Sequence, residues 1–276
     1  MPATFVVVSQ WQGSGSSRAL RLADGAEAIR GDLPAGSTRA VAVPLEAGDE
    51  LGSGLARLGS LQLVRDRTLA VLADVDDWAL TVGGDCGVSL AGVEHSLGAT
   101  DSDLAVVWFD AHPDLNTVET SPSGAFSGMV LRTLLGDGVD ALVPAVPLAP
   151  SRLVLAGARS VDDGEAAYLD ASGIAQVGAD ALETPDGLVA AVAATGAASV
   201  YLHIDLDVLD PAEIAGVAEP VPFGVTTAQL VQAIRAVKAH HRVAGATIAG
   251  FSPASTDAAA DDLPTILRII GALTSR

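Results

Sequence analysis

Leu104-Ala105-Val106-Val107-Trp108-Phe109 runs directly into Asp110-Ala111-His112-Pro113-Asp114, six consecutive apolar residues followed by acids and a histidine at alternate positions. A segment that is apolar on every residue fits a strand buried on both faces, the habit of parallel sheets. Similar runs recur at residues 4–8, 40–43, 153–156, 199–207 and 246–251, with a weaker one at 80–82. Segments with helical spacing lie between them, at 51–72, 88–97, 227–239 and 262–273. Strand and helix alternate along the whole chain, which predicts one α/β domain over residues 1–276 with a mainly parallel central sheet. The Pro- and Gly-bearing stretches 136–150 and 211–224 read as loops inside that domain.

The composition narrows the function. The chain has 276 residues, 49% of them hydrophobic, and 34 Asp and Glu against 15 Lys and Arg, a net charge of −19. So much apolar content argues against disorder. So much negative charge repels phosphate backbones, so neither nucleic acid nor an anionic membrane surface is an expected partner, whereas a cationic small molecule is attracted. One cysteine excludes an intramolecular disulfide. No apolar run reaches the length of a membrane span, and no basic region precedes the first short one. A cytoplasmic setting without a signal peptide is the expectation.

In open parallel sheets ligands gather beyond the carboxyl ends of the strands, so polar residues directly after apolar runs are the functional candidates. Three places qualify. Asp110, His112 and Asp114 stand at i, i+2 and i+4, and an extended backbone points all three to one side. Two carboxylates and an imidazole together suit a divalent metal of intermediate hardness; the alternative is a solvated turn. In His203-Ile204-Asp205-Leu206-Asp207-Val208-Leu209-Asp210-Pro211, Asp205 and Asp207 share a face with His203. Burying two acids there requires a cation between them, either a metal or a buried Arg or Lys. Asp210 before Pro211 reads as a turn former. His203 reads either as a partner of a ligand carboxylate or as a packed core histidine, and it is not counted among the ligands. The third place is Val82-Gly83-Gly84-Asp85-Cys86-Gly87, a glycine turn from strand to helix. A lone cysteine is often an inert small hydrophobe, but Cys86 stands at a third strand end. His95, His240 and His241 read as structural.

These three motifs, in this order, resemble the ureohydrolases: arginase, agmatinase, formiminoglutamase and relatives. The family motifs GGDH, DAHxD and DxDxxDP stand here as GGDC, DAHPD and DLDVLDP, and the resemblance covers essentially the whole chain. It implies a three-layer α/β/α, arginase-like fold and a centre of two manganese ions. Asp110, His112, Asp114, Asp205 and Asp207 would be metal ligands, with Asp110 and Asp205 shared by both ions. A hydroxide held between the ions would attack the carbon of a guanidine or amidine, with Asp114 accepting its hydrogen bond; metals of this kind supply hydroxide near neutral pH.

The departures from the family pattern are specific. Cys86 occupies the place of the ligand histidine of GGDH. A thiolate is softer than imidazole and suits manganese less well, so the ion on the Cys86 side is expected to be weakly or partly held. Ser127 stands where arginases carry a histidine thought to shuttle protons, and serine is a poor acid–base group at neutral pH. Gly250-Phe251-Ser252-Pro253 aligns with Glu-Val-Asn-Pro, so the acid that grips a guanidinium is missing. Glu219 is either its replacement, in contact with a modified guanidine, or a solvated loop acid.

The amino-acid end of the site is retained. Asn116, Ser121 and Ser123 match residues that receive the substrate's α-carboxylate. The segment Arg159 to Glu165 resembles Arg-Asp-Val-Asp-Pro-Gly-Glu, in which Asp162 meets the α-amino group and Glu165 belongs to the same site. The resemblance therefore implies a small arginine-like substrate with an altered guanidine, and it makes agmatine, which has no carboxylate, a poor candidate. The alternatives are an ordinary arginase or another guanidino-acid hydrolase, and a catalytically inactive amino-acid-binding homologue. Arginases are commonly trimers or hexamers, but no interface can be read from this sequence and the oligomeric state is open.

Overall fold

A computed structural model describes residues 3–275. Eight strands alternate with eight α-helices in the order β1 Thr4–Val8, α1 Leu20–Gly31, β2 Thr38–Ala40, α2 Leu58–Leu72, β3 Ala79–Gly83, α3 Ser89–Ala99, β4 Leu104–Phe109, α4 Val130–Leu134, β5 Leu153–Ala156, α5 Asp163–Ser172, β6 Ala175–Val177, α6 Asp186–Ala194, β7 Ser199–Asp205, α7 Thr227–His240, β8 Arg242–Ala249 and α8 Thr256–Thr274. The strands form one sheet in the order β2-β1-β3-β8-β7-β4-β5-β6, and every pairing between them is parallel.

The period of two along each strand divides the core into layers. On β4, Ala105, Val107 and Phe109 pack with Ile29, Leu188, Ile234 and Ile266 of α1, α6, α7 and α8. Leu104, Val106 and Trp108 point the other way, to Leu61, Leu90, Leu97 and Leu131 of α2, α3 and α4. Both faces of the central strands are therefore covered, and β4 and β7 are buried at every residue. This is the physical origin of their unbroken apolar runs.

Several boundaries differ from the sequence expectation. The strand expected at 40–43 is Thr38–Ala40, since pairing with β1 runs through Thr38, Arg39 and Ala40. The strand expected at 199–207 stops at Asp205, where the Asp205 carboxylate accepts the Asp207 N–H and starts a 3-10 turn. The strand expected at 246–251 is Arg242–Ala249. The helix expected at 51–72 begins at Leu58, and the one expected at 262–273 begins at Thr256, capped by Ser255. Among the described residues no helix is long and apolar enough to cross a membrane.

Candidate metal centre and substrate cleft

The carboxyl ends of β3, β8, β7 and β4 lie side by side in the middle of the sheet. Each delivers part of one cleft of about 290 Å³: Asp85 and Cys86 after β3, Gly250 after β8, Asp205 and Asp207 at the end of β7, and Asp110, His112 and Asp114 after β4. No lysine or arginine is among the described residues lining it.

The Asp110–Asp114 segment reaches the cleft by a route other than extension. The strand ends at Phe109, and the Asp110 carboxylate accepts the His112 N–H at 2.7 Å, forming a tight turn. Asp114 sits at φ +54°, the left-handed region that Asp tolerates better than most residues. The three side chains share the cleft because a turn gathers them, which corrects the expectation of an extended i, i+2, i+4 row.

Two groups of ligating atoms result. In one, the Cys86 thiol donates to Asp205 Oδ2 at 2.9 Å and lies 3.9 Å from Asp110 Oδ2. In the other, His112 Nδ1 is 3.0 Å from Asp207 Oδ2 and 3.5 Å from Asp110 Oδ1. The potential ligand sets are Cys86, Asp110, His203 and Asp205, and Asp110, His112 and Asp207, so Asp110 belongs to both. Backbone and side-chain donors aim the carboxylates: Trp108 Nε1 donates to Asp110 Oδ2, and the Ala111 N–H to Asp207 Oδ1.

The electrostatics call for a cation. Burial, then the charge of Asp110, pushes Asp114 well above the usual carboxylate range. Asp207 is raised likewise by burial and by the charges of Asp205 and Asp110. Burial and the charges of Asp205, Asp114 and Asp110 raise the Cys86 thiol. For His112, burial favours the neutral ring, but hydrogen bonds to Asp110 and Asp207 and their charges push it up to about 12. Asp110 moves down although burial opposes this, because His112 and His203 face it. Asp114 Oδ2 and His203 Nε2 are buried and have no partner among the described residues. Buried acids at this density, with unpartnered polar atoms beside them, fit divalent metal ions, which would invert this order of pKa values. The oxygen-rich donor set beside His112 suits manganese, whereas the thiol-bearing set is softer.

The other sequence candidates line the same cleft: Asn116, Ser121, Ser123, Ser127, Asp162, Glu165 and Glu219. Asn116 Nδ2 donates to Asp162 Oδ2 at 2.9 Å, and the Ser121 and Ser123 hydroxyls are 3.0 Å apart. Glu165, which also lines the cleft, has a place in its framework. Its carboxylate accepts the Leu115 N–H and the Asp162 N–H, closing the capping box of α5, so it holds the walls of the cleft together. Glu219 is mostly exposed, with Oε2 3.9 Å from His112 Nε2. Gly250 has φ +85°, and a Cβ there would come within 2.2 Å of Asp205 Oδ1. His95, His240 and His241 are not among the residues lining the cleft. His203, left aside as a ligand in the sequence reading, is brought into the Cys86 group. Its place on the Asp205 face of β7 was the available signal.

Fold and cleft together define an α/β protein with a metal-binding centre on the carboxyl edge of a parallel sheet. The chain belongs to the arginase family, whose model matches residues 22–265. It is 38% identical to an arginase of Bacillus subtilis over 161 residues, 53% of this chain and 52% of that one. It is 33% identical to an arginase of Bacillus caldovelox over 212 residues, 71% of this chain and 67% of that one. The matched part thus spans about half to two thirds of the length of these curated relatives. The fold is similar to that of the Entamoeba histolytica arginase solved with L-ornithine, with a TM-score of 0.87, 21% identity, and coverage of 100% of this chain and 99% of that one.

Proposed function

We propose that this chain is a manganese-dependent ureohydrolase that cleaves N-omega-hydroxy-L-arginine to L-ornithine and hydroxyurea. Within the family, Cys86 in place of a ligand histidine resembles the hydroxyarginine hydrolase of D-cycloserine biosynthesis. The corresponding role in an antibiotic pathway is part of the proposal. The observation that carries it is the contrast between the two ends of the cleft. Asn116 and Asp162 form a hydrogen-bonded pair suited to an amino-acid head group, while Gly250 leaves no acid to grip a guanidinium.

When bound by Cys86, Asp110, His112, Asp205 and Asp207, with Asp114 beside them but outside both ligand groups, the metal ions would supply a nucleophile at neutral pH and a counter-charge for these acids. The chain's own groups do the rest. Asn116, Ser121 and Ser123 receive the α-carboxylate and Asp162 the α-amino group, which fixes the reacting carbon by its distant end. We assign Asp114, whose Oδ2 lacks a partner, to accept a hydrogen bond from the attacking water. Ser127 donates a hydrogen bond inside the cleft, and Glu219 faces the hydroxyguanidine. The bond broken joins the guanidine carbon to the δ-nitrogen. The water oxygen ends on that carbon, one of its protons on the departing amine and the other on hydroxyurea. A hydroxyguanidine is less basic than a guanidine and loses less without a gripping acid.

L-arginine as substrate is the second reading, favoured by the arginases among the relatives. Ornithine release from manganese-loaded protein, with the two substrates at equal concentration, separates them. Strong preference for the hydroxylated substrate is the expected result. Preference for arginine would overturn the proposal, and turnover of neither would favour a binding homologue.

A further inference from the structure

His203 is fully buried on β7, and its partners leave one edge of its ring aimed at the Cys86 group. The alternation along β7 puts it on the same face as Asp205, and the register places it beside Trp108 of β4 and Thr247 of β8. Its ring stacks on Trp108, with centroids 3.4 Å apart and planes 14° from parallel. On one edge, Nδ1 is 2.7 Å from the Ser89 hydroxyl at the start of α3. Stacking fixes the plane and Ser89 fixes the rotation, so Nε2 has one direction to face. That nitrogen is buried and unpartnered among the described residues, and it lies 3.8 Å from Asp110 Oδ2.

A separation of 3.8 Å is too long for a hydrogen bond. It suits two ligands of one ion, because donor atoms each about 2.1 Å from a metal stand roughly 3–4 Å apart. Nε2 also lies within 4.8 Å of the ligating atoms of Cys86 and Asp205. We propose that His203 Nε2 is a ligand of the ion on the Cys86 side, completing a set of Cys86, Asp110, His203 and Asp205. The inference rests on the metal-centre part of the function proposed above. In this chain the imidazole absent after β3 is supplied from β7, two strands away in the sheet. One sulfur, one nitrogen and two carboxylates form a softer set than the oxygen-rich group around His112. The two positions therefore differ in preference: zinc or cobalt is favoured at Cys86 and manganese at His112.

The test needs no substitution in its first form. Full-length protein labelled with nitrogen-15 at its five histidines is loaded with cadmium-113, and metal–nitrogen couplings are counted by NMR. Two coupled rings are expected, one of which disappears in His112→Gln and the other in His203→Gln. One coupled ring, lost in His112→Gln, would overturn the role of His203 and leave the metal centre standing. No coupled ring would overturn both. His203→Gln is further expected to weaken zinc binding at the Cys86 side by about tenfold or more, leaving binding at the His112 side unchanged. If that variant does not fold, the wild-type spectrum still decides.

Discussion

Gly250 shows how a single residue constrains the chemistry of this cleft. With φ at +85° and Asp205 Oδ1 within 2.2 Å of any Cβ, an acid cannot be restored there without moving the Asp205 carboxylate. Gly250→Glu is therefore expected to lose bound manganese and to gain no arginine turnover; metal analysis with an arginine assay checks this, and an active arginase would refute it. Cys86→His places the harder imidazole beside Asp110 and Asp205 and is expected to raise bound manganese, with unchanged content the contrary result. Glu219→Ala removes the exposed acid facing His112. A hydrogen bond to a charged group is worth about 1.5–3 kcal/mol, and exposure reduces this, so kcat/KM for the hydroxylated substrate should fall about tenfold; unchanged kinetics would make Glu219 a solvated loop acid. The gathering of these acids in one cleft was legible because DAHPD and DLDVLDP stand directly after apolar runs. The place of His203 beside Cys86 was not legible, since a histidine at an inward strand position reads equally as core, and only the ring's stacking on Trp108 shows where Nε2 points.

Among the elements, the loop at residues 211–224 carries Glu219, and it is tied down on every side. Asp262 of α8 accepts the Ala215 and Gly216 N–H groups, and Asp210 accepts those of Ala212 and Gly224, as its reading as a turn former implied. Arg159 spreads its guanidinium over the carbonyls of Gly157, Asp207, Val208, Leu209, Val221 and Pro222. It thereby joins this loop to the 3-10 turn that carries Asp207. Such a fork of donors has no equal in lysine. Arg159→Ala strands several half-buried carbonyls and is expected to destabilise the protein by about 2–4 kcal/mol, read from denaturant midpoints, with Arg159→Lys recovering only part. A change below about 0.5 kcal/mol would show that the carbonyls find water instead. The central strands were visible in the sequence because burial on both faces leaves no polar interruption. β6, with three residues at the sheet edge and Gln176 exposed, has no such run. α1, α4, α5 and α6 are likewise absent from the sequence expectation: α1 buries the small Gly25 and Ala26 beside Leu22 and Ile29, α4 has only five residues, and the apolar stripes of α5 and α6 are narrow, α5 burying Glu165 and Leu169 and α6 Leu188 and Val192.

Across the whole molecule, the cost of gathering these acids must be met by whatever binds them. The chain carries a net charge of −19, and Asp110, Asp114, Asp205 and Asp207 are buried together at the carboxyl edge of β4 and β7. Both are interior strands of the sheet, so repulsion within the site acts directly on the core that both helical layers pack against. Burial and mutual charge already push Asp114, Asp205 and Asp207 toward their neutral forms. An ion bound to the folded state alone stabilises it by mass action, by about 2.7 kcal/mol when held at a hundred times its dissociation constant. In chains near this size each kcal/mol moves the thermal midpoint by about 2–4 °C. Removing metal with a chelator is therefore expected to lower the midpoint by roughly 5–10 °C, and manganese should restore it. Because Asp110 is common to both ligand sets, Asp110→Asn should abolish this response, whereas Cys86→Ala should leave the part due to the His112 side. A midpoint indifferent to chelator in the wild-type chain would mean that the acids are held by protons, and the metal-dependent reading of the cleft would fall with it.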